Sequence, residues 1–215
     1  MKIGIFGTGM VGSTIGNKLI NLGHQVKMGS RTDDNKKAKE WIQANGKNAT
    51  QGTFSDAASF GEILFNCTSG SGSLEAIESA GEVNLNGKIL IDVANPLDFS
   101  KGMPPSLFVC NTDSLGEHIQ NKFPYLKVVK TLNTVNCNLM VNPSLVPGEH
   151  DMFLCGNDEA AKGKVIDILI NWFGWKTVID LGDITNARAT EMILPIWIRL
   201  MGILKTPNFN FKIVK

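Results

Sequence analysis

The sequence predicts an α/β protein, a doubly wound parallel sheet with a small C-terminal domain that is α/β or helical. Three observations carry this. Short apolar runs alternate with helical segments along the chain, as in a parallel sheet with crossover helices. Seven of the 22 glycines (Gly4, Gly7, Gly9, Gly12, Gly16, Gly23 and Gly29) fall in the first 29 residues, where an even spread over 215 would put about three. Gly7, Gly9 and Gly12 stand as G-x-G-x-x-G between a strand-like run and a helical one. In that setting the pattern marks a Rossmann-type turn.

The elements follow in order. Lys2 to Phe6 is the first strand, and a helix runs from the glycine turn to about Leu22. Gln25 to Met28 is the second strand, entered through the turn at Gly23. Asp33 to Asn45, rich in Lys, Ala and Glu, reads as a helix with Asp33 or Asp34 in N-cap and first-turn roles. Ala57 to Phe60 is a short helix, Glu62 to Cys67 a buried strand, and a helix around Leu74 to Ala80 follows the loop TSGSGS. Lys88 to Val93 is another strand. Leu97 to Asp113, which follows Pro96 and holds Pro104 and Pro105, has no period and reads as a long loop.

Lys127 to Leu132 is the next strand, and Met152 to Cys155 and Thr177 to Asp180 flank a helix from Glu159 to Phe173. The last helix, Asn186 to Leu204, is apolar nearly all round, the pattern of a buried helix. Pro195 should kink it, because the ring removes the bond to the Glu191 carbonyl. Burial against a second copy is one way to cover it, and a homodimer through this helix is expected.

Composition narrows the function. Hydrophobic residues make up 43% and charged residues 19%, enough for a core without staples. The net charge of +1 argues against a general nucleic-acid binder or a membrane-surface binder. Met192 to Leu204 is the most apolar stretch, too short and too interrupted by Pro195 and Arg199 for a span of ~20 residues. With no secretory pattern in MKIGIF, a soluble cytoplasmic protein is expected. Cys67, Cys110, Cys137 and Cys155 lie far apart and share no motif with His24, His118 or His150, so no metal site is expected.

The glycine motif carries the chemistry. Gly7 allows the tight turn, Gly9 lets the backbone approach a pyrophosphate, and Gly12 lets helix pack on strand. The free N–H groups from Met10 to Gly12 then face the diphosphate. Specificity for NAD calls for Asp or Glu at the end of the second strand. Here that strand ends in Gly29-Ser30-Arg31-Thr32. The fixed charge and donor fork of Arg31 suit the 2′-phosphate of NADP, with Ser30 and Lys36 or Lys37 in support. The competing reading gives the ribose to Asp33 or Asp34.

Asn66-Cys67-Thr68, Ala94-Asn95-Pro96 and Asn133-Thr134-Val135 end further strands, where they would surround the nicotinamide. Cys67 reads as a packing residue, since no cation or histidine stands near it in sequence to make a thiolate. No acid–base constellation emerges, so no catalytic residue is assigned. Asp183, Arg188 and Glu191 read as a structural ion-pair cluster. Hydride exchange with a flavin-like ring demands mainly stacking and positioning, and fits this inventory better than carbonyl reduction.

GTGMVGSTIGNKLINLGHQVKMGSR, DVANP, VVKTLNTVN and LGDITNARATE together resemble the NADP oxidoreductases of the coenzyme F420-dependent type, a family that includes the reductase domain of ferric-reducing membrane proteins. The resemblance runs in order over almost the whole chain. It implies an NADP-binding domain over 1–136 and a C-terminal domain over 137–215 that closes over the acceptor and dimerises. By position it implies Thr8, Met10 and Val11 at the diphosphate and Ser30 with Arg31 at the 2′-phosphate. Asn66, Cys67, Thr68, Thr134 and Val135 would hold the nicotinamide end. The chain departs from the family at Cys67-Thr68, where deazaflavin users often have a small apolar–proline pair, and in the loop Met103-Pro104-Pro105-Ser106. The expected function is hydride transfer between NADP(H) and a flavin, deazaflavin or other small acceptor. The alternatives are an NADPH sensor without turnover and a flavin-mediated ferric-chelate reductase.

Overall fold

The computed structural model describes residues 1–215. Strands β1 (Lys2–Phe6), β2 (Gln25–Ser30), β3 (Ala49–Thr53), β4 (Ile63–Asn66) and β5 (Ile89–Asp92) come from the first half of the chain. A two-residue ladder, β6 (Leu97–Asp98) with β7 (Ser106–Leu107), stands apart. Strands β8 (Lys127–Thr131), β9 (Asp151–Gly156) and β10 (Thr177–Asp180) complete one eight-stranded sheet in the order β10-β9-β8-β5-β4-β1-β2-β3. Every pair is parallel except β8 with β9. This is the doubly wound α/β sheet that the alternating pattern predicts. Residues beyond 136 add β9 and β10 to the same sheet.

Successive strand residues point to opposite faces, and each face has its own core. Ile5, Phe65, Ile91 and Val129 belong to one apolar cluster, while Phe6, Leu64, Leu90 and Val128 belong to the other. Helices α1 (Met10–Asn21), α2 (Lys36–Asn45), α3 (Phe54–Phe60), α4 (Gly70–Ala80) and α5 (Glu82–Leu85) serve the first half. Helices α6 (Leu115–Lys122), α7 (Cys137–Val141), α8 (Glu159–Asp167), α9 (Ala187–Met192) and α10 (Leu194–Leu204) serve the second. The order reverses between β1 and β4, which opens a crevice at their carboxyl ends.

Several boundaries differ from expectation, each for a local reason. Helix α2 starts at Lys36 because Asn35, not Asp33 or Asp34, caps it, its side chain accepting the Ala38 N–H at 3.1 Å. Helix α3 starts early because Thr53 and Asp56 cap each other reciprocally. The edge strand β3 has only Ala49 and Gly52 buried, so its sequence lacks apolar alternation. The glycine–serine stretch supplies the first turns of α4 rather than a loop. The helix from Glu159 ends in a π-type segment, Ile168–Phe173.

The last helix breaks into α9 and α10 at Ile193, with Pro195 in the first turn of α10. It is not buried in the single chain: Ile196 is 54% exposed and Ile203 is 73% exposed. Its all-round apolar character therefore has no partner on one side.

A buried charge cluster ties this C-terminal pair of helices to the sheet. The Lys130 ammonium, fully buried, lies 2.8 Å from Asp92 and 2.9 Å from Glu191, and also donates to the Ala94 carbonyl. Glu191 in turn accepts the Leu115 and Gly116 N–H groups at 2.9 and 3.0 Å, where the α6 dipole favours a carboxylate. Burial alone would lower the lysine pKa, but the two carboxylates outweigh it and hold it above the ordinary value. Arg188 belongs to a neighbouring pair, donating from Nε to Glu117 at 2.8 Å, and Asp183 caps the turn at Thr185. Of the three residues expected to form one ion-pair cluster, Glu191 and Arg188 pair with separate partners and Asp183 makes no ion pair.

Removing one member of a buried ionic group leaves an uncompensated charge and costs ~3–5 kcal/mol. Lys130→Met should lower the unfolding free energy by about that much, read from urea unfolding with an unchanged m-value. A loss below about 1 kcal/mol, the range of an exposed pair, would contradict this role.

Candidate functional site

The carboxyl ends of β1, β2, β4, β5 and β8 frame two adjoining cavities that share a wall, Cys67, Thr68 and Ser69. The first, about 280 Å³, lies between the Gly7–Gly9 turn, the end of β2 and the start of α4. The second, about 600 Å³ and largely apolar, lies between the α1 start, Asn95 and the α10 residues Leu194, Trp197 and Met201.

The first cavity is shaped by backbone. Gly7 has φ +111°, and a Cβ there would stand 2.7 Å from the Cys67 carbonyl oxygen. Gly12 packs so closely that a Cβ would overlap the Gly7 carbonyl oxygen, while the space at Gly9 is open. No side chain caps α1, so its first N–H groups lack intrahelical partners and attract an anion. Arg31 is the only charged residue lining this cavity. Its side chain is 74% exposed, and Glu75 stands at 3.7 Å and is similarly exposed, a weak pair that leaves the guanidinium free to turn. An anion-binding turn beside one cation, with no carboxylate in the lining, fits NADP(H) with its 2′-phosphate. Asp33 and Asp34 line neither cavity, and Asp34 pairs with Lys39 instead.

Gly7, Thr8, Gly9, Ser30, Arg31, Cys67 and Thr68 thus meet at the first cavity. Met10, Val11, Asn95 and Val135 meet at the second. Gly12 lies buried beneath the turn. Ser30 gives its hydroxyl proton to the Thr32 carbonyl. Three residues expected at the site lie outside both linings. Lys36 is exposed at the start of α2 and lines neither cavity. Asn66 and Thr134 are buried behind the strand ends and also line neither.

Sequence reasoning missed Asn35, Ser69 and Gly72 in the first cavity and Phe99 and Trp197 in the second, whereas Asn133, named with its strand end, does line the second. Asn133 and Asn95 are locked together, Asn133 donating to the Asn95 side chain at 3.0 Å and accepting from it on its carbonyl at 2.8 Å.

Burial pushes the Cys67 thiol well above its ordinary pKa, with Asp92 adding to the effect, so it is a packing thiol and not a nucleophile. No histidine lines either cavity: His24 stacks on Trp172, His118 pairs with Asp113 at 2.7 Å, and His150 bonds to the Pro143 carbonyl and Asn210.

Comparison with known proteins identifies relatives of the chain. The family model described as "NADP oxidoreductase coenzyme F420-dependent" matches residues 2–96. The F420-dependent NADP reductase of Methanocaldococcus jannaschii is 32% identical over 209 residues, covering 93% of this chain and 92% of that protein. Metalloreductase STEAP3 of Rattus norvegicus is 28% identical over 202 residues, 91% of this chain but 38% of its own length. The crystal structure of a candidate F420-dependent NADP-reductase from Arthrobacter sp. FB24 superposes with TM-score 0.94 at 49% identity, covering all of both chains. A reductive aminase from Aspergillus terreus in complex with NADPH shares the fold at TM-score 0.67 and 17% identity, over 95% of this chain and 62% of that one. A dinucleotide-type glycine turn, a strand end carrying arginine and a relative 32% identical over more than nine-tenths of both chains make this chain a member of the coenzyme F420-dependent family of NADP oxidoreductases.

Proposed function

We propose that this NADP-dependent oxidoreductase exchanges a hydride between NADP(H), bound in the first cavity, and a deazaflavin of the F420 type, whose ring enters the second. The observation that carries this reading is the lining of the second cavity. It contains Met, Trp, Phe, Leu and amide side chains but no Asp, Glu, His, Lys or Arg. Carbonyl reduction calls for a proton donor at the reacting oxygen. Transfer between two stacked rings needs positioning and water exclusion, which an apolar cavity sharing a wall with the nucleotide groove supplies. The activity named for the Methanocaldococcus relative supports the same acceptor.

The exposed Ile196 and Ile203 stand seven residues apart on one face of α10, and we assign that face to a homodimer contact. The four cysteines are free thiols, in keeping with a reducing cytoplasm. No helix is long and apolar enough to cross a membrane.

Three outcomes test this reading. NADPH oxidation followed at the nicotinamide absorbance should depend on added deazaflavin. Turnover with a flavin or a ferric chelate but not with the deazaflavin would reassign the acceptor, and tight NADPH binding without any turnover would make the chain a sensor. Arg31→Ala should weaken NADPH binding about tenfold, the equivalent of ~1.4 kcal/mol, and leave NADH binding nearly unchanged; equal losses would remove the 2′-phosphate assignment. Sedimentation should show a dimer at micromolar concentration that Ile203→Asp converts to monomer, and a monomeric parent would refute the contact.

A further inference from the structure

The hydrogen bonds behind the shared wall have a fixed direction. Asp92 is fully buried at the end of β5, and its Oδ2 accepts from Lys130 at 2.8 Å. Its Oδ1 accepts the Asn66 Nδ2 at 2.8 Å and the Ala94 N–H at 3.2 Å. A carboxylate paired with a buried ammonium can only accept, so the Asn66 amide must present its NH₂ to Asp92. A flipped amide would set oxygen against oxygen. Asn66 gives its second amide proton to Ser73 Oγ at 3.0 Å. Its Oδ1 is thereby turned to Thr68, accepting the Thr68 hydroxyl at 2.7 Å and its N–H at 3.3 Å. The only other group near the Thr68 hydroxyl is Ser73 Oγ at 2.9 Å, which also lies on the inner side. The Thr68 proton is therefore committed inward. Thr68 lines both cavities and has only lone pairs left for a ligand.

We propose that Asp92, held by Lys130, is a positioning residue that acts through Asn66 to fix the Thr68 hydroxyl as a hydrogen-bond acceptor for a donor group of the bound dinucleotide. The donor is a ribose hydroxyl or a carboxamide N–H, the groups that NADP(H) offers at the wall between the cavities. The inference rests on the placement of the nucleotide proposed above. Asp92 touches no ligand, and its effect is the polarity of Thr68. Asp92→Asn keeps the shape but lets the new amide donate to Asn66. The Asn66 amide can then reverse, and the Thr68 proton turns towards the groove, where it faces the donor of the ligand.

The test is a double-mutant cycle on NADPH binding, read as a dissociation constant from the quenching of intrinsic fluorescence. Thr68→Val and Asp92→Asn should each weaken NADPH about tenfold, the usual range for a lost or reversed bond at a half-buried site. Thr68→Ser should bind as the parent does. The combined variant should be no weaker than Thr68→Val alone, because Asp92 has no other route to the ligand. Losses that multiply would overturn the proposal, as would Asp92→Asn binding NADPH like the parent.

Where Asp92→Asn fails to fold, Asn66→Leu replaces it in the cycle. That variant breaks the chain while keeping Asp92 and Lys130 charged, and the same non-additivity is expected. Parent-like binding by Thr68→Val overturns the inference. The Arg31→Ala measurement then separates the cases: an NADPH-selective loss leaves the nucleotide in the groove without a bond to Thr68, and no loss removes the nucleotide from the groove altogether.

Discussion

A lysine buried within the sheet, on strand β8 between a parallel and an antiparallel neighbour, is the constraint around which this molecule is arranged. Lys130 has no solvent, and a buried ammonium is tolerated only with matched partners. Those partners come from three different places: Asp92 from the neighbouring strand, Glu191 from α9, and the Ala94 carbonyl just past β5. Glu191 then reaches the amides that open α6. The ends of β5 and β8 are thereby fixed to the start of α6 and to α9. Helix α10, which continues from α9, forms one wall of the larger cavity. Through Asn66 the same cluster reaches Thr68 at the wall between the two cavities. One ionic group thus sets the position of both sides of the crevice.

The two cavities divide the work by polarity. The nucleotide side is made of backbone amides, hydroxyls and one arginine, with no carboxylate in its lining, so its field favours an anion. The acceptor side is largely apolar and has no Asp, Glu, His, Lys or Arg in its lining. Hydride transfer between aromatic rings suits this division. On the proposed reading the protein brings two ring faces together and excludes water, and the redox chemistry belongs to the two rings.

Much of this is legible in the sequence where a single local rule governs. The glycine turn, the order of the buried strands and Arg31 at the end of β2 are read directly, because strand–turn–helix geometry admits few alternatives. Asn66 and Thr134 show the limit. They stand at strand ends, as site residues do, yet alternation and burial turn them away from the cavities. Asn35 displaces Asp33 and Asp34 as the α2 cap, a choice among three adjacent capping residues that spacing does not decide. Strand β3 is hidden because an edge strand with one half-exposed face needs few apolar residues. The Lys130 cluster is invisible for a different reason. Its members lie 38 and 61 positions apart in sequence, and only the folded sheet brings them within a hydrogen bond.

The claim on which the account turns is that one dinucleotide lies along the first cavity with its reactive ring at the shared wall. A crystal structure of the protein soaked or co-crystallised with NADP⁺ tests this directly. The 2′-phosphate should lie against Arg31, the diphosphate over the Gly7–Gly12 turn, and the nicotinamide beside Thr68 with one face open to the cavity lined by Trp197 and Met201. A nicotinamide directed away from that cavity, or a 2′-phosphate bound elsewhere than Arg31, would contradict it.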